Sequence, residues 1–114
     1  MSIQVEPMPA TWDVIFFDHF HHGEPDGEFL IEGFPSRELA REYATRRVRD
    51  SIEGCRTSDQ SEEEIRKLWN AYGESACVLG DDGYQDEIDI WLREIATAEQ
   101  RDWQATLVKS GLPT

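Results

Sequence analysis

The run TWDVIFFDHF at residues 11–20 constrains the fold more than any other part of the chain. Aromatic and β-branched residues favour extended strands, in which alternate side chains point to opposite faces. Val14 and Phe16 would lie together on one face. Ile15 and Phe17 would lie on the other, so that both faces are apolar. A strand of this kind belongs inside a sheet, with a neighbour on each edge, rather than at the rim.

A turn and a second extended segment follow this strand. In Pro25-Asp26-Gly27, proline has a fixed φ, aspartate can bond its own backbone, and glycine tolerates a positive φ. Residues 28–34 then carry apolar side chains at alternate positions. We therefore predict a β-hairpin formed by residues 12–20 and 28–34, with a long acidic loop that histidines flank.

Two helices are predicted next, because the apolar period changes from two to between three and four. Ser36 is a credible N-cap for the first helix, which continues to about residue 55. Ser61 and Glu64 have the spacing of a capping box and begin the second helix. Gly73 follows its apolar stripe, where a left-handed C-terminal residue is expected.

The first helix carries a cluster of arginines that alternate with acids. At i,i+4 spacing, Glu42 can pair with Arg46 and Arg49 can pair with Glu53 on the solvent side. We expect these charges to neutralise one another, rather than to form a binding site for phosphate.

The second half of the chain is expected to supply two more strands and a helix. Residues 75–79 are short and apolar, and the turn at residues 80–83 follows them. Residues 87–92 fit both a strand and a helix, and the preceding Asp-Gly favours a second hairpin. A second capping-box spacing begins the last helix, at about residues 98–109.

These elements predict an α+β fold of one domain, residues 1–114, in the order ββααββα. Short turns between neighbouring strands indicate a small antiparallel sheet of two hairpins, with the helices packed on one face. Residues 1–10 contain two prolines and no clear period, and we expect them to form an N-terminal arm.

The charge distribution narrows the classes of partner. The chain has a formal net charge of −13, and residues 1–36 contain no lysine or arginine. Residues 81–89 contain five more acids and no cation. Such a surface repels nucleic acid and anionic membranes, and it attracts basic proteins or divalent cations.

The expected location is the cytoplasm. No apolar run approaches the ~20 residues of a membrane helix. The first ten residues lack the basic and apolar regions of a secretory signal. Cys55 and Cys77 are far apart in sequence, and we expect both to be reduced, buried side chains.

A histidine cluster is the candidate metal site. On a strand, His19 and His21 would project from the same side, next to Asp18. Imidazole and carboxylate together suit zinc, nickel or ferrous iron, and Glu24 or Asp26 can add oxygen ligands. The alternative is that these are ordinary polar residues at the end of a strand.

The leading functional hypothesis is a small interaction or regulatory protein without catalysis of its own. It would bind the basic surface of another protein through an acidic face containing exposed aromatic side chains. The candidate binding residues are Glu28, Glu32, Asp81, Asp82, Tyr84, Asp86, Glu87 and Asp89. The alternative is a transition-metal enzyme or sensor that uses the histidine cluster, and self-association as a homo-oligomer is compatible with both hypotheses.

Overall fold

The structure, a computed structural model, describes most of the chain. The described residues are 11–21, 24, 27–57 and 59–114. The predicted N-terminal arm, the turn residues Pro25 and Asp26, and His22 lie outside the described residues.

An antiparallel sheet of three strands confirms the predicted sheet type. Its strands are β1 (Trp12–Asp18), β2 (Glu28–Phe34) and β3 (Glu74–Val78), in the order β2-β1-β3. Strand β1 is central, as its two apolar faces predicted. Phe16 of β1 pairs with Phe29 of β2 on one side and with Ala76 of β3 on the other.

The core lies between one face of the sheet and helix α1 (Arg37–Cys55), which contacts all three strands. Val14 and Phe16 on the inner face are fully buried. They pack in one cluster with Tyr43 and Ile52 of α1. The placement of helices on one face of an antiparallel sheet, an α+β architecture, was predicted correctly.

Helix starts follow the predicted capping chemistry. The Leu39 amide donates to Ser36 Oγ at 3.1 Å at the start of α1. Ser61 and Glu64 form both hydrogen bonds of the capping box at the start of α2 (Glu62–Tyr72). Gly73 differs from expectation, because its φ is −85° rather than positive. Glycine is needed there because a Cβ would overlap the side chain of Trp69.

Residues 87–92 do not form the expected fourth strand. Residues Ile88–Arg93 are helical (α3), so the second hairpin is absent from the described residues. In the helix Trp91 and Leu92 are both buried, whereas Ile90, which a strand would have placed with Leu92, is 44% exposed. The buried positions of this segment therefore follow the periodicity of a helix and not the alternation of a strand.

The last predicted helix is divided in two. Thr97 and Gln100 form the expected capping box, but α4 covers only Ala98–Arg101. Helix α5 (Trp103–Ser110) starts again at Asp102, whose side chain accepts a hydrogen bond from the Ala105 amide at 3.1 Å. The chain bends where Asp102 leaves the helical conformation. Of the helices in the described part of the chain, none is long and apolar enough to cross a membrane.

Candidate functional site

The predicted acidic binding residues do not form one surface. Glu28 and Glu32 lie on β2, whereas the acids of residues 81–89 follow β3, at the opposite edge of the sheet. Their surroundings also differ. Glu28, Glu32, Asp82 and Glu87 are exposed, but the other predicted residues of this set are engaged inside the protein or in ion pairs.

Asp81 belongs to an internal ion pair rather than to an open acidic surface. Its carboxylate accepts two hydrogen bonds from Arg41 on α1, from Nε and, at 2.6 Å, from Nη2. The hydrogen bond from Arg41 holds the pKa of Asp81 below its usual value. Since Asp81 is only 9% exposed, it connects the turn after β3 to α1.

Tyr84 and Asp86 form a second internal contact. Asp86 accepts hydrogen bonds from the Tyr84 hydroxyl at 2.8 Å and from the Ala76 amide at 3.1 Å. Burial raises the pKa of Asp86 above that of a free aspartate. Burial, with the nearby charge of Asp86, also raises the pKa of Tyr84. Asp89 remains at the surface, where it pairs with Arg66.

The exposed acids on β2 adjoin an apolar surface that was not among the sites predicted from the sequence. Alternation places the side chains of Ile15, Phe17, Leu30 and Cys77 on the face of the sheet opposite α1. We call these four residues the outer sheet face. Leu30 is 45% exposed, and Cys77 is also exposed, contrary to the expected burial of both cysteines. The apolar residues on both faces of β1 were the signal for this surface.

Unpaired carboxylates lie beside the outer sheet face. Asp13, Glu28 and Glu32 take part in none of the ten ion pairs found among the described residues. Asp13 instead accepts a hydrogen bond from the Gly33 amide at 3.1 Å. All the cations of the described chain lie at or after Arg37, outside the β1–β2 hairpin. The charge of Asp13, Glu28 and Glu32 is thus not neutralised by any ion pair of the described chain.

The histidine cluster has structural partners in the described chain. Residues His19–His21 form a short 3₁₀ helix rather than the end of a strand. The His19 ring contacts Trp69 O through Nδ1 at 2.8 Å and Ser75 Oγ through Nε2 at 3.1 Å. His21 Nδ1 bonds Asp18 Oδ2 at 2.9 Å and lowers the pKa of that carboxyl group.

No group of three or more His, Cys, Asp or Glu side chains among the described residues is arranged to hold a metal ion. Both ring nitrogens of His19 already have protein partners, and Glu24 is exposed. Metal binding by Asp18, His19 and His21 therefore stays a prediction from the sequence.

Two exposed aromatic rings lie next to this cluster. Phe20 is 62% exposed and Tyr72 is 60% exposed, and their rings stack with centroids 5.5 Å apart. Neither residue belongs to the acidic face on which the interaction hypothesis expected exposed aromatic side chains.

The comparisons give no relative from which a role can be transferred. No protein-family model, curated protein or solved structure matches this chain.

Proposed function

We propose that this chain is a small acidic interaction protein of the cytoplasm, without catalysis of its own, that binds the basic surface of another protein. The single observation that carries the proposal is the outer sheet face, an apolar surface flanked by unpaired carboxylates. Of the binding residues predicted from the sequence, Glu28 and Glu32 are among the carboxylates that flank this surface. The two free cysteines agree with a reducing compartment.

The apolar centre would supply most of the affinity. Side chains that are desolvated at the middle of an interface usually dominate its binding energy. Phe17 and Leu30 are the large side chains available here, and Leu30 is already 45% exposed. A partner that covers them removes apolar area from water without first unfolding any part of the sheet.

The carboxylates would select the partner. Asp13, Glu28 and Glu32 present negative charge that no arginine of the described chain neutralises in an ion pair. Complementary charge accelerates association and disfavours partners of the same sign. This argues for a protein with lysine or arginine around an apolar patch, and against direct binding of nucleic acid.

The test is capture of a partner, followed by measurement of its affinity. The immobilised protein is exposed to a lysate of its source cells, and a captured protein is then purified and titrated at several salt concentrations. We expect the dissociation constant to rise with salt, because screening weakens attraction between exposed charges. Leu30→Ser and the double variant Glu28→Lys/Glu32→Lys should each weaken binding by about tenfold or more.

A matched control separates this surface from the overall charge. Glu63→Lys/Glu94→Lys makes the same change in net charge on exposed helical and loop positions away from the sheet. The proposal is supported if this control binds as the wild type does. It is contradicted if the control weakens binding equally, if the outer-face variants bind normally, or if the captured molecule is a second copy of this chain.

A further inference from the structure

Arg49 is a buried cation that has no carboxylate partner among the residues that the structure describes. It is 8% exposed, although the sequence pattern placed it on the solvent side of α1. The expected pair with Glu53 is absent, because Glu53 is bound by Arg56, with Nε–Oε1 2.6 Å and Nη2–Oε2 3.0 Å. Arg49 donates from Nη2 to the Glu94 carbonyl at 3.2 Å, while its Nε has no hydrogen-bond partner among the described residues.

A buried arginine without an ion pair destabilises the folded protein, unless the arginine has a further role. A buried charge is normally paired, because leaving water costs several kcal/mol of solvation free energy. The chain also has more than twice as many acids as cations. None of the carboxylates of the described residues nevertheless forms an ion pair with Arg49.

Arg49 lines a cavity of about 440 Å³ between α1 and α4. The other cations of the wall are already paired, Arg41 with Asp81 and Arg46 with Glu42. Thr45 and Gln100 add a hydroxyl and an amide. After these internal pairs are formed, Arg49 is the cation on the wall that is left without a carboxylate in the described residues.

The same wall has carboxylates left over. Glu42 is satisfied by Arg46, by Lys109 at 3.0 Å and by Thr106 at 3.0 Å. Glu99 is exposed and takes part in no ion pair of the described chain, and Glu38 acts on Arg41 only at longer range. The cavity wall thus carries a cation, Arg49, and a carboxylate, Glu99, that form no ion pair with other described residues.

From this distribution we infer that the cavity between α1 and α4 binds a small zwitterion of the α-amino acid class. The ligand carboxylate pairs with Arg49, and its ammonium group faces Glu99. Arginine is suited to this role because its planar donors match the two oxygens of a carboxylate. A neutral zwitterion also avoids the repulsion that a protein of charge −13 exerts on a simple anion.

The cavity is lined by residues of α1 and α4 and by no described residue of the sheet, so this inference is independent of the proposed partner surface. Trp91, whose ring centre is 5.9 Å from the Arg49 guanidinium carbon, lines the adjoining cavity together with Arg41 and Thr45. The adjoining space can hold the side chain of the amino acid.

The experiment measures binding of the common amino acids to the full chain by thermal shift, followed by calorimetric titration of those that stabilise it. A ligand that binds the folded state raises the melting temperature, by an amount that grows with the ratio of its concentration to its dissociation constant. For alanine the matched probes are propionate, which lacks the ammonium group, and ethylamine, which lacks the carboxylate. We expect at least one amino acid to bind, and its one-group analogues to bind about tenfold or more weakly.

Variants test the two named contacts. Arg49→Met keeps the aliphatic packing of the stem and should abolish binding, while the unliganded protein should melt at the same or a higher temperature. Glu99→Gln, at an exposed position, should weaken binding without affecting folding. Arg93→Met, at an exposed arginine outside the cavity, is the control and should bind normally.

Three results would overturn the inference. The first is that no amino acid stabilises the protein. The second is that, for the amino acid that binds, the analogue without the ammonium group binds equally well, which would show that the ammonium group is not recognised. The third is that Arg49→Met lowers the melting temperature strongly and Glu99→Gln binds as the wild type does, which would make Arg49 a structural residue.

Discussion

The carboxylate of Asp86 accepts a hydrogen bond from the amide of Ala76 at 3.1 Å, on the free edge of strand β3. Ser51 Oγ accepts a hydrogen bond from the next free amide, that of Glu74, at 3.3 Å. Side chains thus accept hydrogen bonds from backbone amides that could otherwise pair with another strand. An edge protected in this way resists the pairing that leads to aggregation.

Removal of the Asp86 carboxylate should destabilise the fold. Asp86→Ala leaves the Ala76 amide and the Tyr84 hydroxyl without their partner, and we expect a loss of about 1–3 kcal/mol of unfolding free energy. Urea denaturation followed by tryptophan fluorescence measures the loss. Asp82→Ala, at an exposed neighbouring position, should change stability by less than about 0.5 kcal/mol. Equal losses in the two variants would contradict this role for Asp86.

Asp86 should also make stability depend on pH. Burial raises its pKa in the folded state, so above the unfolded value of about 3.9 the folded protein binds more protons than the unfolded protein. Its contribution to stability therefore falls as pH rises from the unfolded pKa to the folded pKa. Measured from pH 4 to 7, wild-type stability should decline relative to that of Asp86→Asn. A relative increase would show that the pKa is lowered instead.

Arg47 should be the most important cation for stability. Its guanidinium carbon lies 4.5 to 4.9 Å from the ring centres of Phe16, Phe29 and Trp103. Its Nη1 donates to Tyr43 Oη at 2.7 Å, and its Nε donates to Glu74 at 3.2 Å. Arg47→Met should cost about 2–4 kcal/mol, since it removes cation–π contacts and leaves a partly buried carboxylate unpaired.

The matched variant for Arg47 is Arg93→Met. Arg93 is exposed, with a side-chain accessibility of 65%, and its contact with Glu62 at 3.6 Å is a surface ion pair. Such pairs contribute about 0–1 kcal/mol. Chemical denaturation of both variants gives the comparison. Similar losses for the two would mean that the aromatic surroundings of Arg47 add nothing.

Two glycines should respond to alanine in opposite directions. Gly33 has a φ of 98°, and a Cβ there would lie 3.2 Å from Leu112 Cδ2, so Gly33→Ala should cost about 1–2 kcal/mol. Gly54 lies in α1 with nothing within 4 Å of the added Cβ, so Gly54→Ala should stabilise by up to about 1 kcal/mol. Thermal unfolding of both variants tests the pair, and a change of the same sign in both would contradict the assignment.

Local signals in the sequence determined the central strand, the hairpin and the helix starts. Apolar residues on both faces of the predicted strand at residues 12–20 favoured a place inside the sheet. Ser36 and Ser61 cap helices because their hydroxyls accept hydrogen bonds from amides within the same turn. The caps depend on residues three positions apart, and the strands were recognised from alternation within each segment. These signals can be identified from the sequence because each lies within one segment, although the strands themselves pair with distant residues.

Only the tertiary structure decided which charges are free. Asp81 pairs with Arg41, which lies 40 residues earlier in the chain. Glu53 pairs with Arg56 rather than with Arg49. Helices α3 and α4 cover the side of α1 that was expected to face water. The strand-like alternation in residues 88–92 gives way to a helix, because Trp91 and Leu92 gain burial against the rest of the core. Long-range packing sets solvent exposure, and exposure rather than residue type determines whether a charge can bind a partner.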